Sequence, residues 1–319
     1  MIKPISIVIC TYNGQEYLSE VIESILKQEG FDKIVEKLII VDNASMDNTK
    51  DIILDYKKLN SIIEYIYEPV PGLSYARKHG AFVKSDWVAY LDDDNLIMQG
   101  WLKEAKKYIE ENQNVGVFNG ASVPILKYEA TEEEIAMLKA IYPGLACTHF
   151  NIDDYKLNLK PSLKDPFGAG MVLRTKQLKE FLDEGWTQNE GRKGNELGSG
   201  EDGEIAYSII KKGYSYGYNN KMLLRHIIPK KRLDKSYVTN LSKGLDIGYY
   251  NYISNKDNYV YYRMRTFLKS LFIIMIYPFQ IIMFKDLSKR IMLKNNVISR
   301  MRLVKLTLRD LFIFKNNLF

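Results

Sequence analysis

Four short apolar runs, whose starts lie 24 to 33 residues apart, constrain this chain more than any other feature. They cover residues 5–10, 38–41, 62–67 and 87–91, and each is too short and too β-branched or aromatic to be anything but a buried strand. Between them the apolar residues switch to helical spacing. Leu18, Val21, Ile22, Ile25 and Leu26 lie on one face, Ile52, Ile53 and Tyr56 on another, and Ala76 and Ala81 on a third. Strands alternating with helices at this rhythm predict a parallel sheet with helices packed on its faces. In such sheets, ligands bind beyond the carboxyl ends of the strands. Those ends carry Thr11-Tyr12-Asn13-Gly14, Asp42-Asn43-Ala44-Ser45 and Asp92-Asp93-Asp94, and Arg77 opens the helix after the third. Thr11, Asp42, Arg77 and the three aspartates are therefore expected to meet at one edge of the sheet.

The pattern continues with a helix from Trp101 to Tyr108 and a strand at 115–118. Residues 124–164 read as irregular, apart from a helix at 132–139. A glycine-containing strand is expected at 167–174 and a glycine-rich mobile loop at 187–200. Glu201-Asp202 then opens a helix through Ile205, Ile209 and Ile210, and two short strands follow at 214–218 and 222–226.

Charge separates the chain into two unlike parts. The 319 residues carry 45 Lys and Arg against 39 Asp and Glu, a formal +6. Twelve of the basic residues but only two acidic ones (Asp286 and Asp310) lie in residues 263–319, so this tail holds +10 and the first 262 residues −4. A polyanion-binding body is excluded by that sign. The two cysteines, Cys10 and Cys147, are too few for a disulfide framework and lack metal-site spacing. The apolar run behind the N-terminal Met-Ile-Lys-Pro is too short for a signal-peptide core, which points to work on the cytosolic side.

The aspartate triplet is the strongest chemical signal. Three adjacent carboxylates repel one another and raise each other's pKa unless a cation offsets them. Hard oxygen ligands suit Mg²⁺ or Mn²⁺, ions that also neutralise a diphosphate. A solvated acidic turn is the plainer reading of such a triplet, and its place behind an apolar strand weighs against it. Asp42 can accept from a ribose or base edge, or it can cap the helix that follows. Arg77 is placed to hold phosphate oxygens by a bidentate contact, or it is a surface arginine. His226, one of three histidines, leaves a strand next to Arg225 and is either structural or a third metal ligand. Glu201 and Asp202 sit at a helix N-terminus, which keeps a carboxylate ionised for use as a base. A dinucleotide-binding dehydrogenase is excluded, because no strand exit supplies G-x-G-x-x-G.

Taken together, the segments 7–14, 41–49, 68–77, 90–95 and 200–204 resemble the family 2 glycosyltransferases, inverting enzymes of surface-polysaccharide type with a GT-A fold. They occur in that family's order over residues 3–230. The resemblance implies an α/β fold with a Rossmann-like central sheet flanked by helices. It implies a nucleotide-sugar half at 1–105, an acceptor and catalytic half at 106–230, a Tyr-rich connection at 231–262 and a helical tail at 263–319. It further implies that Thr11, Tyr12, Asn13, Asp42, Arg77, Asp92 and Asp93 hold the donor. Asp92, Asp94 and His226 would hold Mn²⁺ or Mg²⁺, and Asp202, or its neighbour Glu201, would be the base that deprotonates an acceptor hydroxyl.

The expected partners are a nucleotide-sugar donor, a saccharide or lipid-linked acceptor and an anionic membrane, with no nucleic acid. The last partner rests on the tail. Residues 270–284 are free of charge but include Pro278, which suggests an interfacial or re-entrant segment. Val297, Met301, Val304, Leu308 and Leu311 recur at helical spacing among Arg300, Arg302, Lys305 and Arg309. That is the pattern of a basic amphipathic helix lying on an anionic bilayer on the inner face of the cell membrane, or of a helix packed on the domain. Two other functions compete. A sugar nucleotidyltransferase would need a glycine- and arginine-rich loop after the first strand, where Thr11-Tyr12-Asn13-Gly14 stands. An inactive, membrane-bound carbohydrate-binding partner has no use for Asp92, Asp94, Asp202 and His226 in one chain.

Overall fold

A computed structural model describes residues 4–158, 166–185, 192–193, 196–197, 200–254 and 258–316. The first strand, β1 (Ile5–Thr11), is buried along its whole length. Helices α1 (Leu18–Leu26) and α2 (Phe31–Ile34) lead to β2 (Val35–Asp42). Then come α3 (Thr49–Leu59), β3 (Ile63–Tyr67), the short α4 (Leu73–Lys78) and β4 (Trp87–Asp92). β1 pairs in parallel with both β2 and β4, and β2 with β3. The expected parallel βα core is therefore present.

The second half departs from that expectation. Behind β4, the chain makes β5 (Asn95–Ile97), α5 (Trp101–Glu111), β6 (Val115–Ile125), α6 (Glu132–Ile141) and α7 (Ile152–Lys156). The strand expected at 167–174 is only β7 (Val172–Arg174), and it runs antiparallel between β4 and β6. Residues 166–171 form turns instead, with Gly170 at φ +72°. Helix α8 (Thr175–Asp183) follows. Within the glycine-rich stretch, the described residues pair as an antiparallel ribbon, β8 (Arg192–Lys193) with β9 (Glu196–Leu197). The rest of the expected mobile loop lies outside the described residues.

Helix α9 (Glu201–Lys211) precedes β10 (Ser215–Ile227). β10 is one long strand rather than the two expected, with a register shift against β6 between Asn219 and Leu223. The sheet order is β3-β2-β1-β4-β7-β6-β10-β5, so one mixed eight-stranded sheet joins both expected halves. Its two faces bury separate apolar layers. Ile7, Ile9, Leu38, Ile40, Trp101 and Phe118 lie on one side, and Val8, Val41, Tyr90, Leu173, Ile205 and Ile209 on the other.

The Tyr-rich connection is mostly helix, α10 (Lys235–Ser254). Tyr250 is buried against Leu303, so it serves packing. Two long helices end the chain, α11 (Tyr259–Met283) and α12 (Leu287–Asn316). Pro278 does not break α11; it sits near the C-terminal end with its ring exposed and removes the N–H that would bond the Ile274 carbonyl. In α12 the expected apolar stripe is split. Val297 is buried, with Leu303 and Thr307, whereas Met301 and Leu308 face out.

Candidate active site

Strand register assembles the edge. Thr11 pairs with Asp42 across β1 and β2, and Cys10 pairs with Asp92 across β1 and β4. The loops after β1 and β2 are then laced together. The Asn13 amide donates to Ser45 Oγ at 2.9 Å, and the Met46 amide to Asn13 Oδ1 at 2.8 Å. The Gly14 amide donates to Thr49 Oγ1 at 2.9 Å. Asn13 takes a left-handed φ of +54° to make this crossing. Tyr12 is left exposed at the rim.

Asp42 is buried and already partnered. Oδ1 accepts from the Ser45 amide at 2.9 Å, and Oδ2 from the Tyr65 hydroxyl at 3.1 Å. Asp42 does not cap α3: the N-cap is Asn48, which makes no side-chain cap bond, and Asp47 before it accepts from the Thr49 amide at 3.0 Å. Asn43, which the sequence reading passed over, fixes the Pro-rich loop before α4. Its amide group donates to Glu68 and Val70 carbonyls, and its Oδ1 accepts from the Gly72 amide at 2.8 Å.

The three aspartates separate into distinct environments. Asp93 accepts from Thr11 Oγ1 at 2.6 Å. Burial and the neighbouring Asp94 carboxylate push its pKa up to about 7, against the pull of the Thr11 bond. Gly14 makes this contact possible, since a Cβ there would stand 2.2 Å from Thr11 Oγ1 and 2.5 Å from Asp93 Oδ2. Asp94 is buried and doubly bridged, to His226 Nε2 at 3.2 Å and to Arg232 Nη2 at 2.7 Å. β5 causes this, because it pairs antiparallel with β10 and puts Asn95 opposite His226. Asn95 closes the turn, donating to Asp94 Oδ1 at 2.9 Å. Although burial opposes a charge on His226, the Asp94 carboxylate and a bond to Cys147 raise its pKa to about 10.

Arg77 is buried, not on the surface, and pairs with Glu201 at 2.7 Å. Its carbonyl accepts from the Tyr90 hydroxyl at 2.6 Å. Gly168 lies directly on it, since a Cβ at that position would stand 1.9 Å from Arg77 Nη2. The Gly168 amide donates in turn to Asp202 Oδ2 at 2.7 Å, and Gly203 donates to Asp202 Oδ1 at 2.8 Å. Asn119 steadies this turn by donating to the Phe167 carbonyl at 2.7 Å. Thus Glu201 is committed to Arg77, while Asp202 is half-buried and presented at the start of α9. Both groups neighbour the aspartates. Burial raises the Cys10 thiol to about 12, where Arg77 pulls it down and Asp92, Asp93 and Glu201 push it up.

The expected metal ligands meet in part. Asp94 and His226 pair with each other at 3.2 Å, and Arg232 reaches both, at 2.7 Å and 3.0 Å, so a cation held by the two would have to displace this pairing. Among the described residues, no three His, Cys, Asp or Glu side chains form a metal-holding group.

This edge, with paired carboxylates at strand exits and a further one at a helix start, is that of a nucleotide-sugar transferase fold. The chain belongs to glycosyl transferase family 2, whose model matches residues 6–176. It is 28% identical over 144 residues to the poly(ribitol-phosphate) β-N-acetylglucosaminyltransferase TarS of Staphylococcus aureus, covering 42% of this chain and 25% of that one. It is 24% identical over 231 residues to a glucosyl-dolichyl phosphate glucuronosyltransferase of Haloferax volcanii, covering 70% and 68%. The match to the minor teichoic acid biosynthesis protein GgaB of Bacillus subtilis is 32% over 112 residues, 34% of this chain and 12% of that one. The chain thus spans a quarter or less of the length of TarS and GgaB. The crystal structure of S. aureus TarS residues 1–349 with UDP-GlcNAc superimposes with a TM-score of 0.52 at 16% identity, covering 94% of this chain and 81% of that one. The GT-A architecture expected from the sequence is therefore the fold observed.

Proposed function

We propose that this chain moves a sugar from a nucleotide-sugar donor to a hydroxyl of a saccharide or lipid-linked saccharide, inverting the anomeric centre. The placement of Asp202 carries the reading. It is a half-buried carboxylate held by two backbone amides beside the edge where Thr11, Asp42 and Asp92 meet. TarS has been crystallised with UDP-GlcNAc, which makes a UDP-sugar the first donor to test. The donor nucleoside would lie over Thr11, Tyr12, Asn13 and Asp42, with Asp92 and Asp93 toward the ribose and diphosphate. Asp202 takes the proton of the acceptor hydroxyl as its oxygen bonds to the anomeric carbon. The bond from that carbon to the diphosphate oxygen breaks in the same displacement, and the nucleoside diphosphate leaves with its electron pair. Asp94 and His226 would hold Mn²⁺ or Mg²⁺, which when bound neutralises the diphosphate. Arg77 serves this reaction from behind, by fixing Glu201 and the Gly168 turn that aims Asp202.

The chain would work at the cytosolic face of a membrane, reached through residues 263–319. The decisive substitution is Asp202→Asn. Transfer should fall about 10²- to 10⁴-fold, the range of general-base catalysis. Donor affinity by calorimetry should stay nearly unchanged. Parallel loss of donor binding and transfer would give Asp202 a structural role instead.

A further inference from the structure

Helix α11 is built inside out. Its small and polar residues point inward, with Thr266 7% and Ser270 0% exposed. Ser270 Oγ donates to the Thr266 carbonyl at 2.6 Å, so the buried hydroxyl is satisfied within the helix. The opposite face holds Leu268, Phe272, Met275, Phe279 and Ile282, at steps of four and three residues that keep them on one side. Phe272 is 58% exposed, Met275 64%, Phe279 71% and Ile282 82%. Large apolar groups gathered on one exposed face mark an interaction surface rather than a random surface residue.

Charge says what covers that face. Arg265 and Lys269 are exposed at one end of the apolar stretch, and Lys285, Lys289 and Arg290 at the other. No acidic residue lies between Tyr259 and Lys285. An apolar strip framed at both ends by cations matches an acyl layer beneath anionic headgroups. The uncharged stretch of residues 270–284 spans about 22 Å as helix, at about 1.5 Å per residue, short of the roughly 30 Å hydrocarbon core. α11 packs against both α12 and α10, and Thr266 on its inner side meets the Tyr249 hydroxyl of α10. α12 is itself pinned to α10, where Arg302 donates to Asp246 at 2.9 Å and to Ser242 at 3.0 Å, and Ser299 also bonds Asp246.

We propose that the outer face of α11 lies in the plane of an anionic bilayer, sunk into one leaflet, with α12 as the second layer that joins it to the catalytic body. This rests on the membrane reading above and, of the two segments expected at the bilayer, assigns the contact to residues 270–284 on α11 and not to the stripe on α12. By length and composition the whole of α11 could cross a membrane, but its uncharged stretch is shorter than the hydrocarbon core and its Thr266–Ser270 side is packed on protein, which favours the in-plane placement.

Flotation with phosphatidylglycerol-containing vesicles tests the proposal on the full chain. Phe272→Glu/Phe279→Glu should lower vesicle binding at least about ten-fold, since two charged side chains replace buried apolar ones. Because both positions are exposed, unfolding temperature and donor binding should match the parent, and Phe272→Ser/Phe279→Ser should give an intermediate loss. Bound protein should be released by alkaline carbonate, and a resistant fraction would mean that α11 spans. Unchanged flotation of the Glu variant, with loss only on truncation before Arg263, would overturn the α11 assignment and keep the membrane reading. No flotation of the parent chain would overturn both. A parent chain that light scattering finds as a dimer, and the Glu variant as a monomer, would show a second copy on this face and also overturn it.

Discussion

The catalytic body and the tail handle polarity in opposite ways. The body buries most of its apolar side chains, and where it buries charge it pairs it, as in Arg77 with Glu201 and Asp94 with His226 and Arg232. The tail turns hydroxyls inward on α11 and leaves Phe272, Met275 and Phe279 outside. Each rule fits one solvent. The body is ordered for water around a polar site, and the tail for a boundary that water and lipid share. The +6 of the whole chain averages two surfaces made for different surroundings.

The sharpest way to test the body's half of this contrast is to remove the ion proposed for Asp94 and His226. Saturating EDTA should reduce transfer to near background, and Mn²⁺ or Mg²⁺ should restore it. Full activity in chelator would leave Arg232 and His226 as the charges that face the diphosphate. Next in size is Glu201→Gln, which strips the partner from a buried Arg77. Breaking such a pair costs about 3–5 kcal/mol, so the thermal midpoint should drop by roughly 5–15 degrees if the body's polarity depends on paired charge. A drop of only a degree or two would mean that water reaches Arg77. The smallest effect is expected in the tail. Arg302→Ala removes donors to Asp246 and Ser242 and should cost about 1–2 kcal/mol by denaturant titration, with transfer to a soluble acceptor unaltered. An effect as large as that of Glu201→Gln would show that body and tail fold as one unit and share one set of packing rules.

Much of the body can be read from the chain because its strands end abruptly. An apolar run that stops at Thr11, Asp42 or Asp92 announces both a strand and its functional end. Asp202 stands out for a similar reason, at a glycine-flanked helix start. What stays hidden depends on pairing at long range. Nothing near Asp94 forecasts Arg232, since they meet only because β5 pairs antiparallel with β10. Arg77 looks like a surface residue until Gly168 closes over it. Asn43 and Asn119 look like ordinary turn and strand residues, although an asparagine directly behind the apolar run 115–118 was a readable signal. In the tail the uncharged run of residues 270–284 was readable, but it is so uniformly apolar that its inner and outer faces could not be told apart, and Thr266 and Ser270 show their side only once the helix is packed.

The contacts among Arg77, Glu201, Asp202 and Gly168 form a closed circuit drawn from three distant stretches of chain. Such a circuit has one state when whole and no graded intermediates. Its members therefore resist being exchanged one at a time, and the route to a different base or a different loop passes through sequences with neither. Newly acquired acceptor preferences should accordingly be written elsewhere on the rim, leaving these four positions as fixed punctuation around a changing text.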